Sequence, residues 1–366
     1  MRICVGGGRR PPCRPARRGP QSPGRVSNDD AWSADGTPTS VTEVIRMMNS
    51  MVDARTAGQL EPAILLTAAV ALVARRTDTR MLAFKGVAAV QYGLRPPRPS
   101  ADVDVFVDPD RHQNFVHALE GRGWLQRPSD PDTATFPRHS VSLFHPAWNM
   151  DIDVHFRYPG IELPPDESFE RLWLQRTTLW CGNQPVQIPG FADAILITAL
   201  HSLRGLWIER HKRELDELVS RCRTVDPDQL AARAKALNAL ATARPFLEQL
   251  VPPRPGYQWG EPSAEWQLRT RISEPMHRRA VHWRRASWPE RVSQVRIALF
   301  PPVETLIKDS TQTRLGPLAA ARAYVRRWGR GLASLPEVLP ILLGRKSGRS
   351  EADAALTDEQ QQRAQR

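Results

Sequence analysis

Six residues, Asp102-Val103-Asp104-Val105-Phe106-Val107, constrain the fold more than any other stretch of the chain. Valines alternate with Asp102, Asp104 and Phe106, and a period of two marks a β-strand whose side chains point to opposite faces in turn. Two carboxylates therefore sit side by side, and the strand reads as carrying one acidic edge. A second alternation follows at residues 150–156, where Met150, Ile152 and Val154 oppose Asp151, Asp153 and His155. Its polar face holds two acids and an imidazole.

The surrounding pattern supplies partners for these strands. Met81-Leu82-Ala83-Phe84 reads as a short buried strand that breaks at Gly86, and residues 87–92 read as a helix started by that glycine turn. A Pro-rich loop at 94–99 leads into the acidic strand. Pro109 then opens a helix bearing Phe115, Val116 and Leu119, closed by Gly121 and Gly123, and a further strand is expected at 140–144. Upstream, Val44, Ile45 and Met48 have helical spacing, and Pro62 at a first helical position precedes the apolar run from Ile64 to Val73. Beyond Pro189 the pattern becomes helical, at 192–206, 209–222 and 228 to about 250, and again over 264–345. The expected class is α+β, a small mixed β-sheet flanked by helices and followed by an all-helical C-terminal domain.

A chain of 366 residues suits roughly two domains at about 150 residues each. The expected division is a basic tail over 1–40 too poor in large apolar side chains to fold, a first domain over 41–189, a helical domain over 190–345 and a polar tail over 346–366. The net charge of +12 is not evenly spread, since Arg2, Arg9, Arg10, Arg14, Arg17, Arg18 and Arg25 all precede the first helix. Clustered arginine neutralises phosphates, so the balance admits nucleic acid as a partner, but it equally fits Arg-rich codon usage and is not the favoured reading. No membrane partner is expected, since the longest apolar stretch, around 64–74, is too short to span a bilayer and ends at Arg75-Arg76. Cys4, Cys13, Cys181 and Cys222 show no metal-ligand or disulfide spacing, and a cytoplasmic location is the expectation.

Two aspartates at i and i+2 on one strand face can chelate a hard divalent ion, and carboxylate oxygens suit Mg²⁺ or Mn²⁺. Such ions neutralise triphosphate charge in phosphoryl and nucleotidyl transfer. A third carboxylate on a neighbouring strand would complete the set, with Asp153 the first candidate and Asp151 its rival. Taken singly, an Asp-x-Asp pair is as well explained by a solvated strand face. The order of features adds the discrimination: strand, Lys85-Gly86, helix, Arg95 and Arg98, the acidic strand, then Asp153-Val154-His155.

These residues resemble the polymerase-beta-like nucleotidyltransferase superfamily. Within it they are most similar to the uncharacterised nucleotidyltransferase family, in which Lys-Gly replaces the usual Gly-Ser turn. The resemblance rests on Leu82-Ala83-Phe84-Lys85-Gly86, Tyr92, Arg98, Asp102 to Val107, Asp153-Val154-His155-Phe156, His201 and the late Phe300-Pro301-Pro302. It runs from about residue 60 to 310. It implies a nucleotidyltransferase core whose helical domain closes over the nucleotide. Lys85 and Gly86 would contact the triphosphate, Asp102 and Asp104 would bind Mg²⁺, and Asp153 would ligate metal and help deprotonate an acceptor hydroxyl. The implied reaction moves a nucleoside monophosphate from an NTP, ATP being the first choice, to an unknown small-molecule, peptide or protein acceptor. Lys85 departs from the usual turn by offering a point charge instead of a hydroxyl.

Accessory residues keep two readings each. Arg98 either steadies the triphosphate or pairs with Asp102. His155 either orients Asp153 and touches substrate or is a hydrogen-bonded structural histidine. His201 reads as helix packing or as a site residue. The stretch from Trp266 to Trp288, rich in Trp and Arg, either stacks on nucleic acid or turns its tryptophans to the core.

Overall fold

The computed structural model describes residues 54–342 apart from 131, 134, 136, 251–257, 273–274, 304 and 306–315. The expected tails at 1–40 and 346–366 and the helix around 44–48 lie outside the described residues. Five strands, β1 (Met81–Phe84), β2 (Asp102–Val107), β3 (Leu125–Gln126), β4 (Ser140–Phe144) and β5 (Asp151–His155), form a sheet in the order β1-β2-β5-β4-β3. The pairs are antiparallel except β2 with β5, which run parallel. The sheet is therefore mixed, and the helices around it make an α+β fold.

Alternation produced these strands, and both faces of β2 turn out to be covered. Val103, Val105, Phe106 and Val107 are all buried, and Asp104 is only 8% exposed. The acidic face is not the solvated edge that the pattern suggested. Helix α1 (Ala54–Arg76) packs on β1 and β2, while α2 (Gly86–Gln91) follows β1 directly. Helix α3 (His112–Glu120) begins three residues after Pro109 and buries Phe115, Val116 and Leu119. Pro62 does not open α1 but lies inside it, on an exposed face. 

Strand β3, one helix and a hairpin of two strands escaped the pattern. Helix α4 (Pro165–Leu174) buries Phe169 and Leu172, spaced i and i+3, and carries proline in its first turn. Strands β6 (Thr177–Cys181) and β7 (Gln184–Ile188) form a hairpin through Gly182 and Asn183, whose φ angles are both positive, at 50° and 61°. That is the backbone a two-residue hairpin turn requires, and Gly and Asn tolerate it best. Arg75 of α1 donates to the Pro185 carbonyl at 3.0 Å and fastens the hairpin to the first helix.

From Phe191 onward the described elements are helical. Helix α5 (Phe191–Leu203) is apolar almost all round, with Ile195, Leu196, Ile197, Leu200 and Leu203 buried, and so lies central among its neighbours. Its buried Asp193 is held by a two-pronged Arg233 pair at 2.5 and 2.9 Å. Helix α6 (Glu209–Arg221) packs against α5. The single helix expected from 228 to about 250 is two, α7 (Pro227–Ala236) and α8 (Leu240–Leu247). Asn238 between them adopts φ 48°, and its side-chain amide donates to the Glu162 carbonyl at 3.0 Å, which fixes the break. Helices α9 (Ala264–Arg271), α10 (Pro275–Arg285), α11 (Trp288–Leu299) and α12 (Pro317–Leu342) complete the described chain. Trp266 is buried against Gly160, where a Cβ would come within 2.8 Å of its ring, and Trp283 is half-buried. Trp288 is 74% exposed, so core packing accounts for the first two tryptophans and not for the third.

Candidate functional site

Parallel pairing of β2 with β5 sets Asp102 opposite Asp151 and Asp104 opposite Asp153. Residues opposite one another in a registered pair share a face. Asp104, Asp153 and His155 thereby offer ligand atoms that all lie within 4.8 Å of one another. Phe84 of β1 stands opposite Asp104 on the other side, so the next residue, Lys85, emerges beside that carboxylate.

Lys85 adopts φ 54° and ψ −114°, the conformation that glycine reaches without strain and a lysine does not. The special turn residue is thus Lys85 and not Gly86, whose φ is not positive. This turn curls the lysine back, and Nζ donates to Asp104 Oδ1 at 2.6 Å with the side chains 14% and 8% exposed. Burial alone pulls the Lys85 pKa down, but the Asp104 carboxylate outweighs it and holds the ammonium charged. Burial likewise pushes Asp104 up, while Lys85 and then His155 overcome that and keep its carboxyl well below the usual range.

His155 is 1% exposed and places Nε2 3.0 Å from the same Asp104 Oδ1. Burial, reinforced by Lys85, lowers its pKa to about 4, against the opposing pull of Asp104. The ring is neutral at pH 7, and its Nε2–H donates to the carboxylate. Nδ1 is left as a buried acceptor without a hydrogen-bond partner. His155 therefore orients Asp104, not Asp153 as one expectation had it. The edge of Phe84, with ring centroids 4.9 Å apart, fixes the imidazole plane.

Asp153 has the opposite electrostatics. Burial is the largest cause of its rise to about 6, the negative charges of Asp104 and Asp102 add to it, and a hydrogen bond with Ser142 opposes it. Asp102 is raised in the same sense, by burial and by Asp104, and its Oδ1 accepts from Ser100 Oγ at 3.2 Å. Asp151 is occupied elsewhere, by a two-pronged contact with Arg127 whose Nη2 lies 2.9 Å from Oδ1. The structure brings Asp104 and Asp153 together with His155 and leaves Asp151 outside that group.

A cleft of about 390 Å³ opens in front of Lys85, Gly86, Asp102 and Asp104 and extends to α5 and α6, where Thr198, His201, Arg210, Arg213, Glu214 and Glu217 line it. Arg98 lies in its wall but pairs with Glu214 at 2.6 Å, not with Asp102. Among the described residues of the cleft, Arg95 is a buried cation left without an acceptor. Its Nε and Nη2 are buried and have no hydrogen-bond partner, and Nη2 stands 3.6 Å from where a Cβ on Gly86 would be. A buried guanidinium without an acceptor is costly unless a ligand supplies one. Sequence reasoning noted Arg95 only as one of two basic residues, since nothing local says which of them Glu214 neutralises. His201 accepts from Arg204 through Nδ1 at 3.0 Å and lies near His211 and Glu214, a second group whose ligand atoms fall within 4.8 Å. Arginines at 98, 204 and 210 crowd that group, which makes it a poor cation site.

The donor set at Asp104 and Asp153 suits a hard divalent ion, because two carboxylates converge there, although the Lys85 ammonium competes for one of them. Residues 34–249 match the model of a family described as uncharacterised nucleotidyltransferase. The chain belongs to that family. Comparison with curated proteins gives no match. Among solved structures, an antigenic nucleotidyltransferase-like protein from Paracoccidioides brasiliensis is similar at 14% identity over 52% of this chain and 91% of that one, with a TM-score of 0.31. A tRNA nucleotidyltransferase solved with a primer tRNA and an incoming ATP analogue is 13% identical over 80% of this chain and 98% of that one, with a TM-score of 0.24. A tRNA-processing enzyme in an apo form is 12% identical over 80% and 96%, with a TM-score of 0.23. Among the described residues no helix is long and apolar enough to cross a membrane.

Proposed function

We propose that this member of the uncharacterised nucleotidyltransferase family is a divalent-metal-dependent enzyme that moves the nucleoside monophosphate of an NTP, with ATP the first donor to test, onto a hydroxyl of a small-molecule, peptide or protein acceptor. The observation that carries this reading is Asp104 opposite Asp153 on parallel strands, converging beside a cleft with a buried, unpartnered Arg95. In this reading Asp104 and Asp153 hold Mg²⁺ or Mn²⁺, and Asp102 adds a further carboxylate. When bound there, the ion neutralises developing phosphate charge.

The remaining work falls to this chain's own groups. His155 fixes the rotamer of Asp104 by hydrogen bonding, as second-layer partners of metal ligands do. Arg95 receives phosphate oxygens in the cleft, and Gly86 leaves that wall open. The acceptor oxygen bonds to the α-phosphorus as the bond from that phosphorus to the pyrophosphate oxygen breaks. Its proton passes to a carboxylate oxygen of Asp153.

Incubating the protein with Mg²⁺ or Mn²⁺, ATP and fractionated acceptors, and following pyrophosphate release, tests the proposal. Release that depends on metal and disappears in Asp153→Asn supports it; nucleotide binding without release across all fractions counts against it. The Lys85–Asp104 pair favours one second reading, a member that binds nucleotide or a partner without turnover, because it occupies a carboxylate the reaction requires.

A further inference from the structure

We propose that Lys85 is the resident counter-ion of the metal site, so that the divalent ion and the nucleotide are admitted together and not independently. The inference rests on the metal-binding part of the function proposed above. Three observations carry it. Lys85 Nζ sits 2.6 Å from Asp104 Oδ1, on the carboxylate whose residue stands opposite Asp153 in the parallel pair. His155 donates to that same oxygen, so two positive or polar groups already satisfy it. Lys85 is also held in a backbone conformation, φ 54° and ψ −114°, that directs its side chain to this place at the expense of strain.

An ammonium and a divalent cation cannot share one carboxylate oxygen at close range, since both are positive and the surroundings are nearly dry. A metal ion brought alone to Asp104 meets the Lys85 ammonium on the same carboxylate and repels it, and a buried ammonium displaced without a new anion is unfavourable. The cleft beside it provides the place for that anion. Lys85 lines the cleft together with Arg95, and a nucleoside triphosphate lying there brings phosphate oxygens to both. Nucleotide therefore relieves the cost of moving Lys85, and metal relieves the competition for Asp104. By linkage each must tighten the other by the same factor. Lys85 is in these terms a positioning residue that acts through Asp104.

The test measures Mn²⁺ binding by electron paramagnetic resonance, with and without a non-hydrolysable ATP analogue, in the wild-type full chain and in Lys85→Met and Asp104→Asn. The expected result is weak Mn²⁺ binding by the wild type alone and binding at least about ten-fold tighter with the analogue, within the usual range for coupled sites. Lys85→Met should bind Mn²⁺ alone about ten-fold more tightly than wild type and gain little from the analogue. Equal or weaker Mn²⁺ affinity in folded Lys85→Met overturns the proposal. So does independent binding of Mn²⁺ and analogue to the wild type, a measurement that decides the matter if the variant does not fold. Asp104→Asn separates the two levels. If it abolishes Mn²⁺ binding while Lys85→Met leaves it unchanged, the counter-ion role fails and the metal site stands; if it leaves Mn²⁺ binding intact, the metal site itself fails.

Discussion

Lys85 Nζ lies 2.6 Å from Asp104 Oδ1, a contact between the residue that follows one strand and the centre of the next. By its family resemblance, Lys85 would reach out to the triphosphate. In the structure its ammonium pairs with Asp104, a carboxylate of the proposed metal site, and Arg95 is a buried cation lining the cleft without a hydrogen-bond acceptor.

Removing the carboxylate from this pair should cost stability as well as activity. Asp104→Asn leaves a buried ammonium without its counter-charge, and loss of one partner from a buried pair typically costs about 3–5 kcal/mol. The double variant Lys85→Met with Asp104→Asn should lose less than the sum of the two single changes. Urea denaturation of all four proteins checks this, and strict additivity contradicts it.

Asp153→Asn should separate function from stability. Its carboxyl is raised from the ordinary 3.8 to about 6, so its stabilising contribution is full below pH 3.8 and is lost as pH rises through 6. The charge buried at pH 8 corresponds to at most about 3 kcal/mol, at about 1.4 kcal/mol per pH unit. The amide removes that cost. The variant should melt higher than wild type at pH 8 and lose the advantage near pH 4, while transfer activity drops by about a thousand-fold or more. A lower melting temperature at pH 8 would be the wrong sign.

The two arginines of the Pro-rich loop should behave differently. Arg95→Gln removes a cation with no protein acceptor and should weaken binding of a non-hydrolysable ATP analogue by about ten-fold or more, the usual size of a charge-assisted hydrogen bond. Arg98→Gln breaks a pair with Glu214 and should change that affinity less. Isothermal titration decides it, and a larger loss with Arg98→Gln contradicts the assignment.

How far these distinctions are readable from residues alone depends on their range. Strands β2 and β5 follow from local alternation, and so does the presence of aspartates on each, whereas the convergence of Asp104 on Asp153 depends on how the strands pair. The hairpin β6–β7 carried a legible turn, Gly182-Asn183, but its exposed Thr177, Thr178 and Trp180 lack the apolar alternation that marks a strand. The break between α7 and α8 depends on a single left-handed Asn238 inside a continuous helical pattern. Which arginine is neutralised depends on Glu214, on a helix far along the chain. The partner of His155 depends on sheet register, which pairs β2 with β5 and is not encoded in either strand by itself.

Acid should destabilise the protein well above the range where exposed carboxylates titrate. Burial lowers His155 from the ordinary 6.5 to about 4, and burial also lowers His139, whose ring lies 5.5 Å away. A histidine whose folded pKa is depressed contributes stability above 6.5 that is lost as pH falls toward 4. Asp153 acts in the opposite direction over part of this window, so the net loss is smaller than the histidines alone would produce. Denaturation midpoints should hold between pH 8 and about 6.5 and fall from there to pH 4, and a His155→Phe variant should show a shallower fall; a profile flat from pH 6.5 to pH 4 contradicts the burial of neutral imidazoles.

The central claim is that Asp104 and Asp153 share one divalent ion. Crystals grown with Mn²⁺ and a non-hydrolysable ATP analogue, measured at the manganese absorption edge, test it most directly. The account predicts an anomalous peak within bonding distance of both carboxylates, with Lys85 drawn off Asp104 and phosphate oxygens at Arg95. A peak confined to His201, His211 and Glu214, or no peak at all with the analogue bound, would contradict it.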